Sequence, residues 1–487
     1  MQKTYLLLTT LICLCSCLNA QNLYNQKWLI EDYILFDFSA GGAPVITLEQ
    51  PPIDFGPGDH TNSICDKNGN LIFYTGGCYI GNRKHEIMMN GDSINSAYTY
   101  QVGLCGNGDF PIVNNNVTLP FPDDEQRYII LNLDLGPKIP ISSTILAHHL
   151  LYQVVDMTLD GGLGGVVQKN AIAIDDYLDY GSVAAVKHTN GRDWWVVVPQ
   201  FNSNCYYVLP ITPQGVGIPV LQCMGFEFGN LTGGGQASFS PDGKKYARIE
   251  ADNALMFMQF DAEQGVLSDA LQLDYNKIYS YFHGANFSGN SRYLYITTDE
   301  SIYQYDTDAN DIQSTVTWVG GMRPDTLQQG QGAFGPMMLA TNGRMYMSCT
   351  GLGRWFSSIE RPNCPGLACD ARVHKIYLPS TNYDNNNTQP HFAIPQQDFN
   401  CDANSADEPR GAYQLTLWPN PALEKIMVNL PVRGRVYIRA LDGRVLSSQE
   451  VSEGPCSISF DLPQGMYLLE YHEQKGRVVV ERFVVGE

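Results

Sequence analysis

One phrase recurs along this chain and limits what it can fold into: a small or aromatic pair, a turn containing Gly or Asn, then an apolar strand. It reads SICDKNGNLIFYTGG from Ser63, AAVKHTNGRDWWVVV from Ala184, SFSPDGKKYARI from Ser238, NFSGNSRYLYITT from Asn286 and LATNGRMYMSCT from Leu339. A looser copy is PFPDDEQRYIILNLD from Pro120. Asn-Gly and Asp-Gly pairs permit the positive φ that tight hairpin turns require. A second unit follows, an aromatic strand turning at Asp or Gly, as in CYYVLPITPQGVGIPV, LMFMQFDAEQGVLSDAL and SIYQYDTDANDIQSTV. Sheets of roughly four strands repeating at about fifty residues are how a β-propeller reads, because each blade buries its faces only against its neighbours. A stacked array of sandwiches is the rival, and it lacks this alternation of hairpin and outer unit. Helical periodicity is scarce, so the expected class is all-β: a propeller of six or seven blades, seven favoured, followed by a small C-terminal β-sandwich. The opening WLIEDYILFDFSAGGAPVITLE has no hairpin before it, and a ring can use such a piece to complete its last blade.

At 487 residues the chain exceeds one ordinary core. Lys3, then the apolar YLLLTTLICLCSCL, then NAQ, form the pattern of a cleaved secretory signal, with the cut expected between Ala20 and Gln21. Leu14-Cys15-Ser16-Cys17 offers a lipoprotein alternative with a poor second position. No later run is long and apolar enough to span a membrane. After the signal, the cysteines are too sparse for a disulfide framework and read as local staples; Cys364 and Cys369, flanking PGLA, could close a small loop. Acidic residues number 50 against 30 basic ones, which disfavours nucleic acid and anionic membrane surfaces as partners.

From Gln414 the balance changes, with 8 Lys and Arg against 9 Asp and Glu. LTLWPNPALEKIMVNL places Pro419 and Pro421 around Asn420 before an alternating run. Proline fixes φ and keeps the residue before it extended, so the entry is straight and KIMVNL starts a new domain. RVYIRA, VLSSQE, SISFDL, MYLLEYH and VVVERFVV supply further short strands. The expected division is a signal peptide at 1–20, a propeller at 21–395, a polar linker at 396–413 and the β-sandwich at 414–487.

The tail motifs WPNPA, LDGRVL, LPQGMYLLEY and RVVVERFVV, in that order, resemble the C-terminal sorting domain of type IX secretion cargo. Trp418, Pro419, Asn420, Pro421, Gly443, Gly465 and Tyr467 stand at its motif positions. The resemblance implies passage through the periplasm, recognition by the outer-membrane translocon, and a cell-surface or secreted destination. In many members a sortase-like peptidase removes the tail; the ending VVGE, where a basic or amide residue is commoner, leaves anchoring or release open. NRKHEIMMNG, YQVVDMTLDGGLGGVVQKN, AVKHTNGRDWWVV and RPNCPGLACD resemble the propeller-like N-terminal regions of surface proteins that carry such tails. That likeness implies fold and location, and it transfers no catalytic residue.

Motifs for chemistry are few. His85-Glu86 lacks the second histidine of a zinc-protease helix, since Asn90 stands there. His148 and His149 are consecutive; on a regular strand they point to opposite faces and cannot share a metal without a sharp bend. Asp306–Asp311 and Asp398–Asn404 miss the Gly and Glu of a calcium loop and read as turns. The glycine-rich Asp160–Val166 is followed by no phosphate-binding helix, and no G-x-S-x-G elbow is found. Neither metal nor cofactor is therefore expected. For binding, His283 should lie on an inner strand, while Trp194, Trp195, Trp355 and Phe356 offer faces on which a sugar could stack; packing between blades uses aromatics in the same places. The favoured reading is a non-enzymatic binding module for an unidentified glycan or protein. The alternative, a secreted hydrolase on a propeller scaffold, requires three or more buried carboxylates and histidines meeting in one cleft.

Overall fold

Each copy of the recurring phrase folds as the first two strands of an antiparallel sheet. The pairs are Asn62–Cys65 with Leu71–Thr75, Asn116–Phe121 with Asp124–Gly136, and Ala184–Lys187 with Trp194–Pro199. Ala237–Phe239 with Lys245–Glu250, Ala285–Phe287 with Tyr293–Thr297, and Phe334–Leu339 with Met345–Cys349 complete the set. Five of these six turns share one backbone solution. The N–H groups of Gly69, Gly191, Gly243, Ser291 and Gly343 each donate to the carbonyl three residues earlier, and all five residues have positive φ. Where serine replaces glycine, at Ser291, φ is still 63°.

The computed structural model describes residues 23–49, 61–101, 103, 105, 114–136, 146–179, 181–228, 235–250, 254–274, 284–322, 333–349, 353–382, 389–392, 399, 401, 417–418, 422–430, 433–440, 444–452, 454–473 and 478–486. They divide into two units, Met1–Cys401 and Asp402–Glu487. Among the described residues no helix is long and apolar enough to cross a membrane.

In the first unit the aromatic segments add third and fourth strands. Leu146–Asp156 and Gly165–Leu178 complete the third sheet, and Cys205–Thr212 with Gly215–Val216 and Val220–Cys223 the fourth. Ala254–Asp261 and Val266–Leu273 complete the fifth, Ser301–Asp306 and Thr317–Gly321 the sixth, Gly353–Ile359 and Ala371–Asn382 the seventh. The second sheet ends with Ile80–Asn82. Lys27–Ile30, Ile34–Asp37 and Val45–Leu48 form a sheet of their own, the first, instead of adding a strand to the last one. The last sheet already has its four strands, so the opening segment pairs with itself.

Successive sheets share apolar cores. Leu29 and Tyr33 pack with Tyr74 between the first and second sheets; Ile64 and Phe73 pack with Tyr128 and Ile130 between the second and third. Val117 and Leu131 meet Trp194 and Val196, Tyr206 meets Phe239 and Tyr246, and Ala247 meets Phe287 and Leu294. Tyr295 meets Met337 and Met347, and Met338 with Tyr346 returns to Trp28 and Phe36 of the first sheet. The ring of contacts thus closes on itself, which makes this unit a propeller. The period of two along a strand explains how one strand serves two cores. Trp194, Val196 and Val198 face the third sheet, while Trp195 and Val197 face the fifth.

Among the described residues of this unit, three disulfides act as staples: Cys78–Cys105, Cys205–Cys223 and Cys364–Cys401. Cys364 therefore does not pair with Cys369. A 3-10 turn over Gly366–Cys369 carries Cys369 into the core between the sixth and seventh sheets, where burial pushes its thiol up to about 11. Cys364 is left to reach Cys401.

In the second unit the alternating runs become strands where expected. Leu417–Trp418, Lys425–Leu430 and Gly454–Ser459 form one sheet; Val445–Val451, Gly434–Ala440, Gly465–Glu473 and Val478–Val485 form the other. Ile426, Val428 and Ile458 from one sheet and Val436, Ile438, Leu469 and Phe483 from the other share a core.

Candidate functional site

A first strand in each blade is an edge, and its unpaired backbone groups face the axis. Amide side chains satisfy many of them. Gln236 Nε2 donates to the Met337 carbonyl at 2.8 Å, and its Oε1 accepts from the N–H groups of Ala285 and Met337, both at 3.0 Å. One glutamine thereby ties the fifth, sixth and seventh sheets together. Asn286 Nδ2 also donates to the Met337 carbonyl, at 3.1 Å, and Asn62 Nδ2 to that of Asn116, at 3.2 Å. The Leu29 N–H donates to Ser63 Oγ at 2.9 Å.

Into this amide-rich wall the chain inserts residues 389–392. Gln389 Nε2 donates to Asn62 Oδ1 and to the Ser63 carbonyl. His391 Nε2 lies 3.1 Å from Asn286 Oδ1. Phe392 meets Tyr24 and Trp194 edge-on, with ring centroids 5.4 Å and 5.7 Å apart. The segment thus touches the second, third, fourth and sixth sheets, acting as a plug. What remains is a cavity of about 30 Å³, bordered by Asn114, Gln236, Ser238, Asn286, Gln389 and His391 among others. That is room for about one water molecule. Among the described residues that line it there is no carboxylate. Burial holds the His391 ring down to about 4, against an upward pull from a backbone hydrogen bond at Phe239. A neutral imidazole belongs there; a charged one has no counterion among the lining residues.

The residues expected to bind are placed differently. Trp194 is fully buried between the third and fourth sheets, and its Nε1–H donates to the Pro120 carbonyl at 3.1 Å. The Lys187 ammonium lies 3.8 Å from the Trp194 ring centroid, and burial pushes it down to about 8. Trp195 reaches across to the fifth sheet, donating to the Ala262 carbonyl at 2.9 Å and stacking on His188. Trp355 packs edge-on against Tyr377 within the seventh sheet, and Phe356 is buried against the first. The tryptophans lie in two separate sheets and form no common platform. His283 lies outside the described residues, as do Ala20, Gln21, Pro419, Asn420, Pro421 and Gly443. Trp418 pairs with Met427, Gly465 pairs with Val485, and Tyr467 OH donates to the Pro463 carbonyl at 2.8 Å.

Two polar clusters among the described residues lie outside the lining of that cavity. Arg248, Asp179 and Glu250 are wholly buried, with Arg248 Nε 2.9 Å from Glu250 Oε1 and the guanidinium over the Phe228 ring. The second cluster contains His148 and His149. Their rings do not diverge: the centroids are 4.0 Å apart. The register explains it. Leu133 pairs with Leu150 and Leu135 with Ala147, so Asp134 alone faces His148 and His149 across a β-bulge. The extra residue cancels the strand's alternation. Sequence inspection assumed a regular strand and missed this, together with the axial Gln236, Asn286, Gln389 and His391. A visible trace of the axial set was the Asn or Gln at or beside the start of the inner strands in NSIC, QASF and ANF.

Residues 416–486 match the family described as the secretion system C-terminal sorting domain. The chain is accordingly cargo that is exported to the cell surface or secreted. No curated protein matches it. Among solved structures it is similar to the periplasmic gluconolactonase of Pseudomonas aeruginosa, at 13% identity and TM-score 0.37, covering 79% of this chain and 94% of that one. A quinoprotein alcohol dehydrogenase-like protein of Bacteroides thetaiotaomicron matches at 12% identity and TM-score 0.36, covering 69% and 73%. A functionally unknown protein of Desulfotomaculum acetoxidans matches at 12% identity and TM-score 0.36, covering 72% and 95%. Likenesses at these scores say nothing of this chain's activity.

Proposed function

We propose that the propeller is a seven-bladed, non-enzymatic binding module, delivered outside the cell by the sandwich-like tail and a cleaved N-terminal signal. The observation that carries this reading is the plugged axis. Propellers that act on small molecules need a deep site with convergent ionisable groups. Here Gln389–Phe392 fill that place, leave about 30 Å³, and bring amides and one neutral histidine instead of carboxylates. Contacts with a glycan or protein then fall to the outer rim of the ring. Seven sheets joined by seven shared cores support the blade number.

Two measurements test the reading. Purified full-length protein on a glycan and protein array should show saturable binding to one ligand class without converting it. Turnover of an arrayed glycan or peptide, abolished by changes in the ring, refutes a non-enzymatic role. Deleting residues 414–487 should leave the body in the periplasm, unrecognised by the type IX translocon. Normal surface display of that truncation refutes the delivery role of the tail. A surface-linked product lacking the tail would place a sortase-like peptidase in the pathway.

A further inference from the structure

The His148–His149 bulge assembles a set of groups that the binding role does not use. Asp134 lies near the end of the second strand of the third sheet, the two histidines begin the third strand, and Asp175 lies opposite His149 on the fourth. Asp134 is buried; its Oδ1 accepts from the His149 backbone N–H at 2.7 Å and its Oδ2 lies 2.8 Å from His149 Nδ1. On the other side of the ring, His149 Nε2 lies 3.2 Å from Asp175 Oδ1, and His148 Nε2 lies 3.9 Å from the same oxygen. The three outward ligand atoms all fall within 4.8 Å of one another.

A carboxylate is an acceptor, so the Asp134 contact fixes a proton on His149 Nδ1. Nε2 then presents a lone pair to a second carboxylate at 3.2 Å. A cation between the two atoms, a proton or a metal ion, makes so close an approach favourable. A second proton on His149 would account for that one approach, but it would leave His148 without a role in the convergence. A metal ion accounts for all three atoms. Tetrahedral coordination with bonds of about 2.0–2.1 Å sets ligand atoms about 3.3 Å apart; one separation here is 3.2 Å, and the other two, 3.9 Å and at most 4.8 Å, close by side-chain rotation. Packing favours the arrangement too: the His148 ring rests on Tyr177 with centroids 4.8 Å apart, and a Cβ at Gly136 would overlap the His148 side chain. A buried carboxylate holding the far nitrogen of a ligating imidazole is the usual support for such a ligand.

We propose that His148, His149 and Asp175 bind a transition-metal dication of the zinc class, with Asp134 as the positioning residue for His149. Two imidazoles and one carboxylate suit zinc better than calcium or magnesium, which take oxygen ligands. Three protein ligands leave at least one position open, and the Asp175 side chain is 71% exposed, so that position faces solvent. The site can therefore take a water or a donor atom from a bound partner.

Untagged full-length protein, stripped of metal, is titrated with Zn²⁺ against a chromophoric chelator and separately with Co²⁺ as a spectroscopic probe. The expected result is one strong equivalent per chain and an intense visible Co²⁺ band of low coordination number. Asp175→Ala, a change at an exposed side chain, should remove both without altering the thermal melt. Asp134→Asn should weaken Zn²⁺ binding about 10–100-fold while the Co²⁺ band survives at saturating metal. No saturable binding by the wild type overturns the proposal, as does wild-type affinity in both Asp175→Ala and His149→Ala. The first of those results leaves the second proton on His149 as the cation between the two groups.

Discussion

His391→Gln should make the protein less sensitive to mild acid, and the size of the change follows from the plug. The ring sits against Asn286 and helps to line the small axial cavity. Burial brings it down from an ordinary 6.5 to about 4. As pH falls, the unfolded chain takes up this proton near 6.5, while the folded chain resists until about 4. The stability due to a neutral His391 is therefore complete above pH 6.5, is lost progressively towards pH 4, and is not lost further below that. Between about pH 7 and about pH 5, this linkage amounts to roughly 1–2 kcal/mol. His374 is also brought down to about 4 by burial, and His85 is lowered by burial against the pull of Glu49, so the wild type by itself does not isolate His391. The measurement is a difference: denaturant unfolding at the two pH values, wild type beside His391→Gln. The wild type should lose about 1–2 kcal/mol more than the variant over that range. Equal losses refute the argument that a desolvated imidazole with no charged partner closes the axis.

Two further outcomes follow from the packing. Trp194→Ala removes a buried ring shared by the third and fourth sheets, the partner of the Pro120 carbonyl and a contact of Phe392, and should lower stability by about 3–5 kcal/mol in thermal or denaturant unfolding. A loss under about 1 kcal/mol would point to an exposed binding tryptophan instead. Cys401→Ser opens a loop spanning 37 residues that ties the chain after the plug to Cys364, and should cost about 2–4 kcal/mol. Unfolding of the wild type in reductant, which also opens Cys78–Cys105 and Cys205–Cys223, should cost at least as much; an unchanged midpoint in both refutes the staple.

Much of the architecture was legible because it rests on local rules. The hairpin turns demand a left-handed residue at one point, and Asn-Gly or Asp-Gly announces it. NFSGNSRY obeys the same geometry with Ser291 in place of glycine, and it was found through its flanking residues. Alternation in KIMVNL and VVVERFVV fixed strands in the tail, because a sheet with one buried face leaves that imprint. The sites left a fainter imprint. Trp194 and Trp195 looked like a pair, yet a period of two sends them into different cores. Cys369 stands five positions after Cys364, yet a 3-10 turn turns it inward and Cys401 takes the bond.

What the sequence by itself determined was the repeating unit, the all-β class and, through the tail's motifs, export to the cell surface or secretion. These depend on residues near one another along the chain. Closure of the ring, the seating of Gln389–Phe392 on its axis, and the convergence of Asp134, His148, His149 and Asp175 were decided by tertiary structure. Each joins residues from separate strands or sheets, and the last depends on a one-residue bulge that no hydrophobic pattern records. A bulge changes which face a side chain takes without changing the composition of the strand, so it becomes visible only once the partner strand is in register.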